Sequence, residues 1–245
     1  MRRIGFVTTQ QEEEAQDRPF GPGYLETLSV WPAPESLVPA GMWTDVGPAV
    51  SDSPLQILLG CGHAEYDGDA LRCRLSRQFA ANAFVDETLT VGKLGSVQLA
   101  RHTYLTPGGQ TWFDCDDLLR QAIPFYLDAG SRLVQLCKPA AMGLALSVKG
   151  LIGKSLILNP PSHRPLGNAV CFSCDEIEGS EVIPADSLLR TFDGLARAML
   201  NITNQLLSVF QSCGSQNSRG AMSACVMLKA EEFRTLLKKS LGGQE

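Results

Sequence analysis

The longest regular pattern of apolar positions in this chain lies towards its C-terminal end. Apolar side chains recur there at alternating steps of four and three residues: Leu188, Phe192, Leu195, Met199, Ile202, Leu206 and Val209. This spacing places them on one stripe of an α-helix. Asp186 supplies a helix-start signal and Gly214 an end signal. The pattern therefore predicts a long helix with one buried face over residues 186–211.

Shorter patterns upstream predict a mixture of strands and helices. Helices are expected at residues 69–84, where Leu71 and Leu75 share a face, and at 114–127, interrupted by Pro124. Strands are expected at residues 4–9, 24–31, 55–59, 88–105 (two strands with a turn near 92–95), 132–137, 144–148, 155–158 and 169–174. A last strand and helix are expected at residues 223–228 and 230–241.

These elements do not alternate regularly as strand, helix and strand, which favours an α+β fold over a parallel α/β fold. We predict a single domain over residues 1–245, with a mixed antiparallel sheet packed on the long buried C-terminal helix. Residues 32–54 contain five prolines among Gly, Ser and Asp, and this composition predicts a surface loop.

Composition and charge narrow the classes of protein that need to be considered. Hydrophobic residues make up 44% of the chain, and the formal net charge is −5 without a basic cluster. Nucleic-acid binding needs a concentrated positive face, so it is not expected. No apolar run is long enough to span a bilayer, and the residues after Met1 lack the apolar region of a secretory signal. An intracellular location, in the cytoplasm or nucleus, is expected, with the eight cysteines reduced.

Cys61, His63 and Cys73 are the residues that best fit reactive chemistry. Thiolate and imidazole are zinc ligands, and a thiol beside a histidine is also a nucleophile with its base. A second ligand pair with regular spacing is missing, and Cys171 and Cys174 fall in a predicted strand without a glycine turn. Buried, unreactive cysteines are therefore the favoured interpretation, and no metal or cofactor is expected. A thiol- or metal-dependent enzyme is kept as the alternative hypothesis.

One ordered set of short motifs resembles a known family. It runs from Ile57-Leu58-Leu59-Gly60 through Arg74-Leu75-Ser76-Arg77 and Asn82-Ala83-Phe84 to Leu94-Gly95-Ser96-Val97 and Trp112-Phe113. Over residues 55–137 this order resembles the comet-type HORMA-fold adaptors of the spindle checkpoint. The resemblance implies a HORMA-like fold and a non-enzymatic protein-binding adaptor or complex subunit. It also implies two partners, a HORMA-domain protein and an AAA+ ATPase.

The resemblance also implies which residues bind these partners. Phe79 and Phe84 would be apolar anchors on one helix, with Arg77 at the rim, and Trp112 with Phe113 would lie towards the ATPase. On this interpretation, Phe84→Ala weakens partner binding with little loss of fold, whereas unfolding of that variant would place Phe84 in the core. A self-assembling structural protein, associating through the helix at 186–211, is a further alternative.

Overall fold

The fold was analysed in a computed structural model. The residues described are 21–39, 41–47, 49–50, 53–61, 63–67, 70–80, 83–105, 112–152, 154–157, 175–186, 194–195, 197–199, 201–202 and 205. The strands expected at 4–9, 169–174 and 223–228, and the helix expected at 230–241, lie outside these residues.

A seven-stranded antiparallel sheet dominates the described part of the chain. Its strands, in chain order, are β1 (Gly21–Ala33), β2 (His63–Asp67), β3 (Ala70–Ala80), β4 (Ala83–Gly92), β5 (Val97–Leu105), β7 (Ala141–Lys149) and β9 (Glu176–Pro184). Their order across the sheet is β2-β3-β4-β5-β1-β7-β9. Two short strands, β6 (Trp112–Asp114) and β8 (Ser155–Ile157), form a separate parallel pair. Together with the helices described below, this arrangement confirms an α+β architecture.

Strict two-residue alternation gives the sheet two different faces. On β5, every second side chain from Val97 to Leu105 is buried, including Leu99 and Arg101, whereas the alternate side chains are more exposed. The buried positions pair across the sheet with Val30 on β1 and, on the far side of β1, Leu144 on β7. We call this apolar side the inner face and the opposite side the outer face.

A long helix, α3 (Cys115–Cys137), covers the inner face. Phe125, Tyr126 and Leu133 are buried in the main hydrophobic cluster, and the Tyr126 hydroxyl donates to the Ala145 carbonyl on β7. The expected interruption at Pro124 is wrong, because the helix continues through it. A proline inside a helix removes one hydrogen bond, and the burial of the turns on either side offsets that cost.

Residues 132–137 are not the expected strand but the last turns of α3. They contain a short run of apolar residues, and a run of this length fits a buried helix as well as a strand.

A buried ion pair between two residues of α3 is hydrogen-bonded to residues of the segment 43–56. Asp128 and Arg132 are one helical turn apart, with Arg132 Nε 3.0 Å from Asp128 Oδ1. The Arg132 guanidinium also donates to the carbonyls of Trp43 (2.7 Å) and Val46 and to Gln56 Oε1 (2.6 Å). Asp128 accepts from the Ser53 hydroxyl and from the Ala49 amide. The partners of both charges are therefore supplied by residues 43–56.

The Pro-rich segment is more ordered than the sequence indicated. The sequence predicted a surface loop over residues 32–54. In the structure, the first residues of this range belong to β1, and a short helix, α1 (Met42–Asp45), follows. Val38, Trp43 and Val50 are buried. The described residues therefore depart from the predicted surface loop at 32–54, because these apolar side chains pack in the core and Arg132 bonds the Trp43 carbonyl.

The strand expected at residues 55–59 is a helix, α2 (Pro54–Cys61). Leu55 and Leu58, three residues apart, are both fully buried, as on one face of a helix. The Ser53 hydroxyl accepts from the Gln56 amide at 3.1 Å, which is a helix N-cap contact followed by proline at the first helical position.

The helix expected at residues 69–84 is the hairpin of β3 and β4. Along β3, Leu71 and Cys73 are buried, whereas Arg72 and Arg74 are exposed, and this alternation is that of a strand. Over the described residues, the two elements at the start of the family resemblance are therefore a helix at 57–60 and strands at 74–80 and 83–84.

Part of the region predicted to form the long C-terminal helix is described. Residues 194–195, 197–199, 201–202 and 205 are helical, and Leu195, Met199 and Ile202 of the predicted stripe are buried in the main hydrophobic cluster. At Gly179 on β9, an added Cβ would lie 2.8 Å from the Ile202 carbonyl oxygen. The absence of a side chain at Gly179 therefore lets this helical segment approach the inner face closely.

The ion pair leads to a stability prediction. Replacing Arg132 by Met leaves the Asp128 carboxylate buried without its cation, and we expect a loss of about 3–5 kcal/mol in the free energy of unfolding. As a control, Lys149→Met removes one partner of the half-exposed Lys149–Glu176 pair (3.1 Å) and should cost less than about 1 kcal/mol. Urea denaturation of both variants measures the difference, and equal losses would contradict a structural role for the buried pair.

Candidate functional site

The binding residues predicted around the β3–β4 hairpin do not form one face of a helix. Phe84 lies on β4 and pairs with Gln78, which places it on the outer face. Arg77 pairs with Val85 on the inner face and bonds Glu87 at 3.1 Å. Phe79 lies where the β3–β4 register shifts, between Gln78 and Ala80. The structure thus separates Arg77 from Phe84 on opposite faces of the sheet.

Phe84 belongs to an aromatic cluster on the outer face and is itself only 8% exposed. Its ring lies 6.2 Å from that of Tyr104, its direct partner on β5, and the His102 ring lies 4.2 Å from Tyr104. A side chain this buried contributes to packing within the chain, so little of it is left to enter a partner's pocket.

The carboxylate of Asp86 interacts with Tyr104 of this cluster. Asp86 Oδ1 accepts from the Ser76 hydroxyl at 2.6 Å, across the β3–β4 ladder. Burial raises the pKa of Tyr104 above its ordinary value, and the negative charge of Asp86 and a hydrogen bond to Asp86 raise it further. The Tyr104 phenol therefore stays protonated at neutral pH and is a donor to the carboxylate, not a base or nucleophile.

Trp112 and Phe113 lie on β6, outside the main sheet, where their backbones pair with Ser155 and Leu156 of β8. The structure therefore places them on a different element from the residues of the β3–β4 hairpin that were grouped with them.

The candidate metal or thiol residues are not brought together either. His63 on β2 pairs with Arg74, and Cys73 pairs with Ala64, so His63 and Cys73 point to opposite faces. Cys73 is 1% exposed, and burial raises the pKa of its thiol, which disfavours the reactive thiolate. Cys61 is the last residue of α2. Over the residues described, no group of three or more Cys, His, Asp and Glu side chains is placed to hold a metal ion.

Sequence inspection missed a buried ion network on the inner face. Arg101 Nη1 lies 3.3 Å from Glu26 Oε2, and Arg101 Nε lies 3.4 Å from Glu87 Oε1. Glu87 is also bonded by Arg77, so two carboxylates and two guanidinium groups link β1, β5, β4 and β3. Glu26, Glu87 and Arg101 are at most 6% exposed. The buried, charge-balanced pairs favour this strand register, and of the four side chains Arg77 alone is substantially exposed.

The clearest exposed apolar surface lies at the end of the sheet that carries the β4–β5 turn. The Val38 amide donates to the Lys93 carbonyl at 2.8 Å, which joins the loop that carries Leu37 to the turn that carries Leu94. Leu37 is 75% exposed, Leu94 39% and Met42, at the start of α1, 48%. We call Leu37, Met42 and Leu94 the turn cluster. Single exposed apolar side chains are common, but several on a loop and a turn that are bonded to each other are a feature of interaction sites.

Gly95 allows this arrangement of loop and turn. Its φ is +79°, a left-handed conformation that favours glycine, and an added Cβ would lie 3.0 Å from Pro32 Cγ and 3.2 Å from the Ser36 carbonyl oxygen. The turn and the loop at residues 36–38 are therefore in direct contact.

Comparison with known proteins does not assign the chain to a family: no family model, no curated protein and no solved structure matches it. In the described part of the chain, no helix has the length and apolar character needed to cross a membrane.

The burial of Phe84 leads to a prediction that differs from the one made from the sequence. We expect Phe84→Ala to lower the free energy of unfolding by about 3 kcal/mol, since it removes a buried ring and leaves a cavity. Tyr66→Ala is the matched control, because Tyr66 is an aromatic side chain 65% exposed on β2 and should change stability by less than about 0.5 kcal/mol. Urea denaturation compares them. Unchanged stability of Phe84→Ala would restore its role as a partner-binding anchor.

A second prediction concerns the titration of Tyr104. Asp86→Asn removes the negative charge and should lower the Tyr104 pKa towards 10.0, leaving only the part of the shift that burial causes. Ser76→Ala keeps the carboxylate and should leave the pKa raised. Because the folded-state pKa is raised, the contribution of Tyr104 to stability is present below its unfolded pKa and is lost as pH rises through the folded pKa. Ultraviolet titration measures the pKa, with Tyr104→Phe to assign the signal, and an unchanged pKa in Asp86→Asn would contradict the contact.

Proposed function

We propose that this chain is a non-enzymatic protein-binding adaptor or complex subunit that docks its partner on the turn cluster. The observation that carries the proposal is the high exposure of Leu37, Leu94 and Met42 on a loop and turn joined by the Val38–Lys93 hydrogen bond. Apolar side chains held in fixed positions lose little conformational freedom on binding, so more of their burial energy is available to the complex.

The support for this surface comes from the core beneath it. Val38 and Trp43 are buried beside the exposed residues, and Arg132 bonds the Trp43 carbonyl. The exposed leucines are therefore carried by a segment whose neighbours are anchored in the core. This arrangement resembles the centre of an interface, where a few apolar anchors project from a rigid base.

The sequence motifs over residues 55–137 supply the candidate partner, a HORMA-domain protein, and a second candidate, an AAA+ ATPase. That assignment depends on the motifs alone, since the elements at 57–60, 74–80 and 83–84 are of different types from those expected. We also propose that the described helical residues 194–205 are part of the long buried helix predicted at 186–211 and complete a HORMA-like arrangement. An intracellular location follows from the same proposal, because these partners are intracellular proteins.

The experiment is a binding titration of the purified chain against the closed form of the checkpoint's HORMA effector. The double variant Leu37→Asp/Leu94→Asp should weaken binding about tenfold or more, because charges cannot be desolvated cheaply at an apolar interface. Ile152→Asp is the matched control, since Ile152 is 65% exposed between β7 and β8 and should leave affinity unchanged.

Two outcomes would contradict the proposal at different points. If the double variant binds as tightly as the parent chain, the turn cluster is not the docking surface. If the parent chain does not bind the HORMA effector, the partner assignment fails. Light scattering in the same samples tests self-assembly, and a mass that rises with concentration would favour the structural-protein alternative.

A further inference from the structure

A trough crosses the outer face of the sheet at β5, β1, β7 and β9. Its volume is about 420 Å³, within the usual range of small-ligand sites. The trough exists because the two central strands place small side chains side by side there. Ser29 on β1 pairs with Ala145 on β7, and Thr27 pairs with Ser147. Larger side chains on the flanking strands form its walls.

One end of the trough is formed by an aromatic ring lying on the sheet. Trp31 on β1 pairs with Gly143 on β7, and an added Cβ at Gly143 would lie 2.0 Å from Trp31 Cε2 and 2.5 Å from its Nε1. The indole therefore lies across the backbone of β7 in space that any other residue at 143 would fill. A flat indole presents one π face to a ligand, and its negative quadrupole attracts the weakly positive C–H groups of a ring.

The wall on the β9 side is fixed by two hydrogen bonds. The Gln205 carboxamide accepts from the Ser180 amide at 2.9 Å and donates to the Ser180 carbonyl at 3.0 Å. These are the contacts that a neighbouring strand would make, so Gln205 fastens the helical segment to the edge of β9. The trough is thus bounded by groups already held in place, which lowers the cost of binding.

The chemistry of the lining selects the class of ligand. Hydroxyl groups of Thr27, Ser29 and Ser147 both donate and accept hydrogen bonds, and the Gln98 carboxamide does the same. Glu178 adds an acceptor, and among the described residues that line the trough none is positively charged. A phosphate or carboxylate ligand would be repelled by the Glu178 carboxylate, and no described positive side chain in the lining would offset that repulsion. Anionic ligands are therefore disfavoured.

We propose that this trough is a binding site for a neutral, polyhydroxylated ring compound, that is, a sugar of mono- or disaccharide size. The hydroxyl and carboxamide groups match a ligand with many hydroxyls, and the Trp31 face matches the C–H face of a pyranose ring. The proposal is independent of the adaptor function, since none of the residues that line the trough belongs to the turn cluster. The main competing ligand is an organic cation, which would bind Trp31 through its π face and Glu178 through its charge.

The test is isothermal titration of the full chain with maltose, cellobiose and lactose, and separately with choline. At least one sugar should bind with a dissociation constant in the millimolar range or tighter. Trp31→Ala should weaken that binding about tenfold, whereas Trp31→Phe, which keeps an aromatic face, should stay within about threefold. Far-ultraviolet circular dichroism of each variant verifies that the fold is retained.

A second pair of variants keeps the test valid if Trp31→Ala fails to fold. Ser147→Ile fills the trough with a side chain that strands favour, and it should abolish sugar binding. Thr88→Ile makes the same kind of change on the outer face of β4, outside the trough, and should leave affinity unchanged. The proposal is overturned if none of the three sugars binds, or if Ser147→Ile binds like the parent chain. Binding of choline alone, lost in Glu178→Gln, would also overturn it in favour of a cation site.

Discussion

The Asp128–Arg132 ion pair is the interaction on which the arrangement of helices and loops most depends. Both side chains are buried, and their hydrogen-bond partners come from residues 43–56. Desolvating two charges is costly, so the pair is compatible with folding only when those partners are in place. The segment after β1 and the helix α3, 70 or more residues apart in the chain, are therefore coupled. One consequence is that α2 packs against α3.

The sheet has two faces of different chemistry, which separates its structural and its binding roles. The inner face carries the apolar cluster and the Glu26–Arg101–Glu87 network, and α3 covers it. The outer face carries small hydroxyl residues on β1 and β7, which line a trough. The turn cluster lies at the end of the sheet, where the loop after β1 meets the β4–β5 turn. A protein partner and a small ligand would thus use separate surfaces.

Prediction from the sequence succeeded where the apolar residues fitted only one spacing, either that of a strand or that of a helix. β1, the β4–β5 hairpin and β7 were predicted because their alternation is bounded by turn residues, and part of the stripe around Met199 is helical and buried. β3 was mistaken for a helix because Leu71, Leu75 and Phe79 are also spaced four apart. The Ser53-Pro54 cap of α2 was a local signal that we missed. The trough could not be predicted, since it requires the register that places Trp31 beside Gly143.

The most direct test of this account is hydrogen–deuterium exchange in Arg132→Met. If the ion pair holds the segment on α3, peptides covering residues 41–56 should lose protection well beyond the general loss across the chain. The β4–β5 hairpin, which supplies none of the hydrogen bonds or ion pairs of Arg132, should show only that general loss. If both regions lose protection equally, Arg132 contributes only to the overall stability of the fold and does not hold this segment in particular. Unchanged protection at 41–56 would contradict the account.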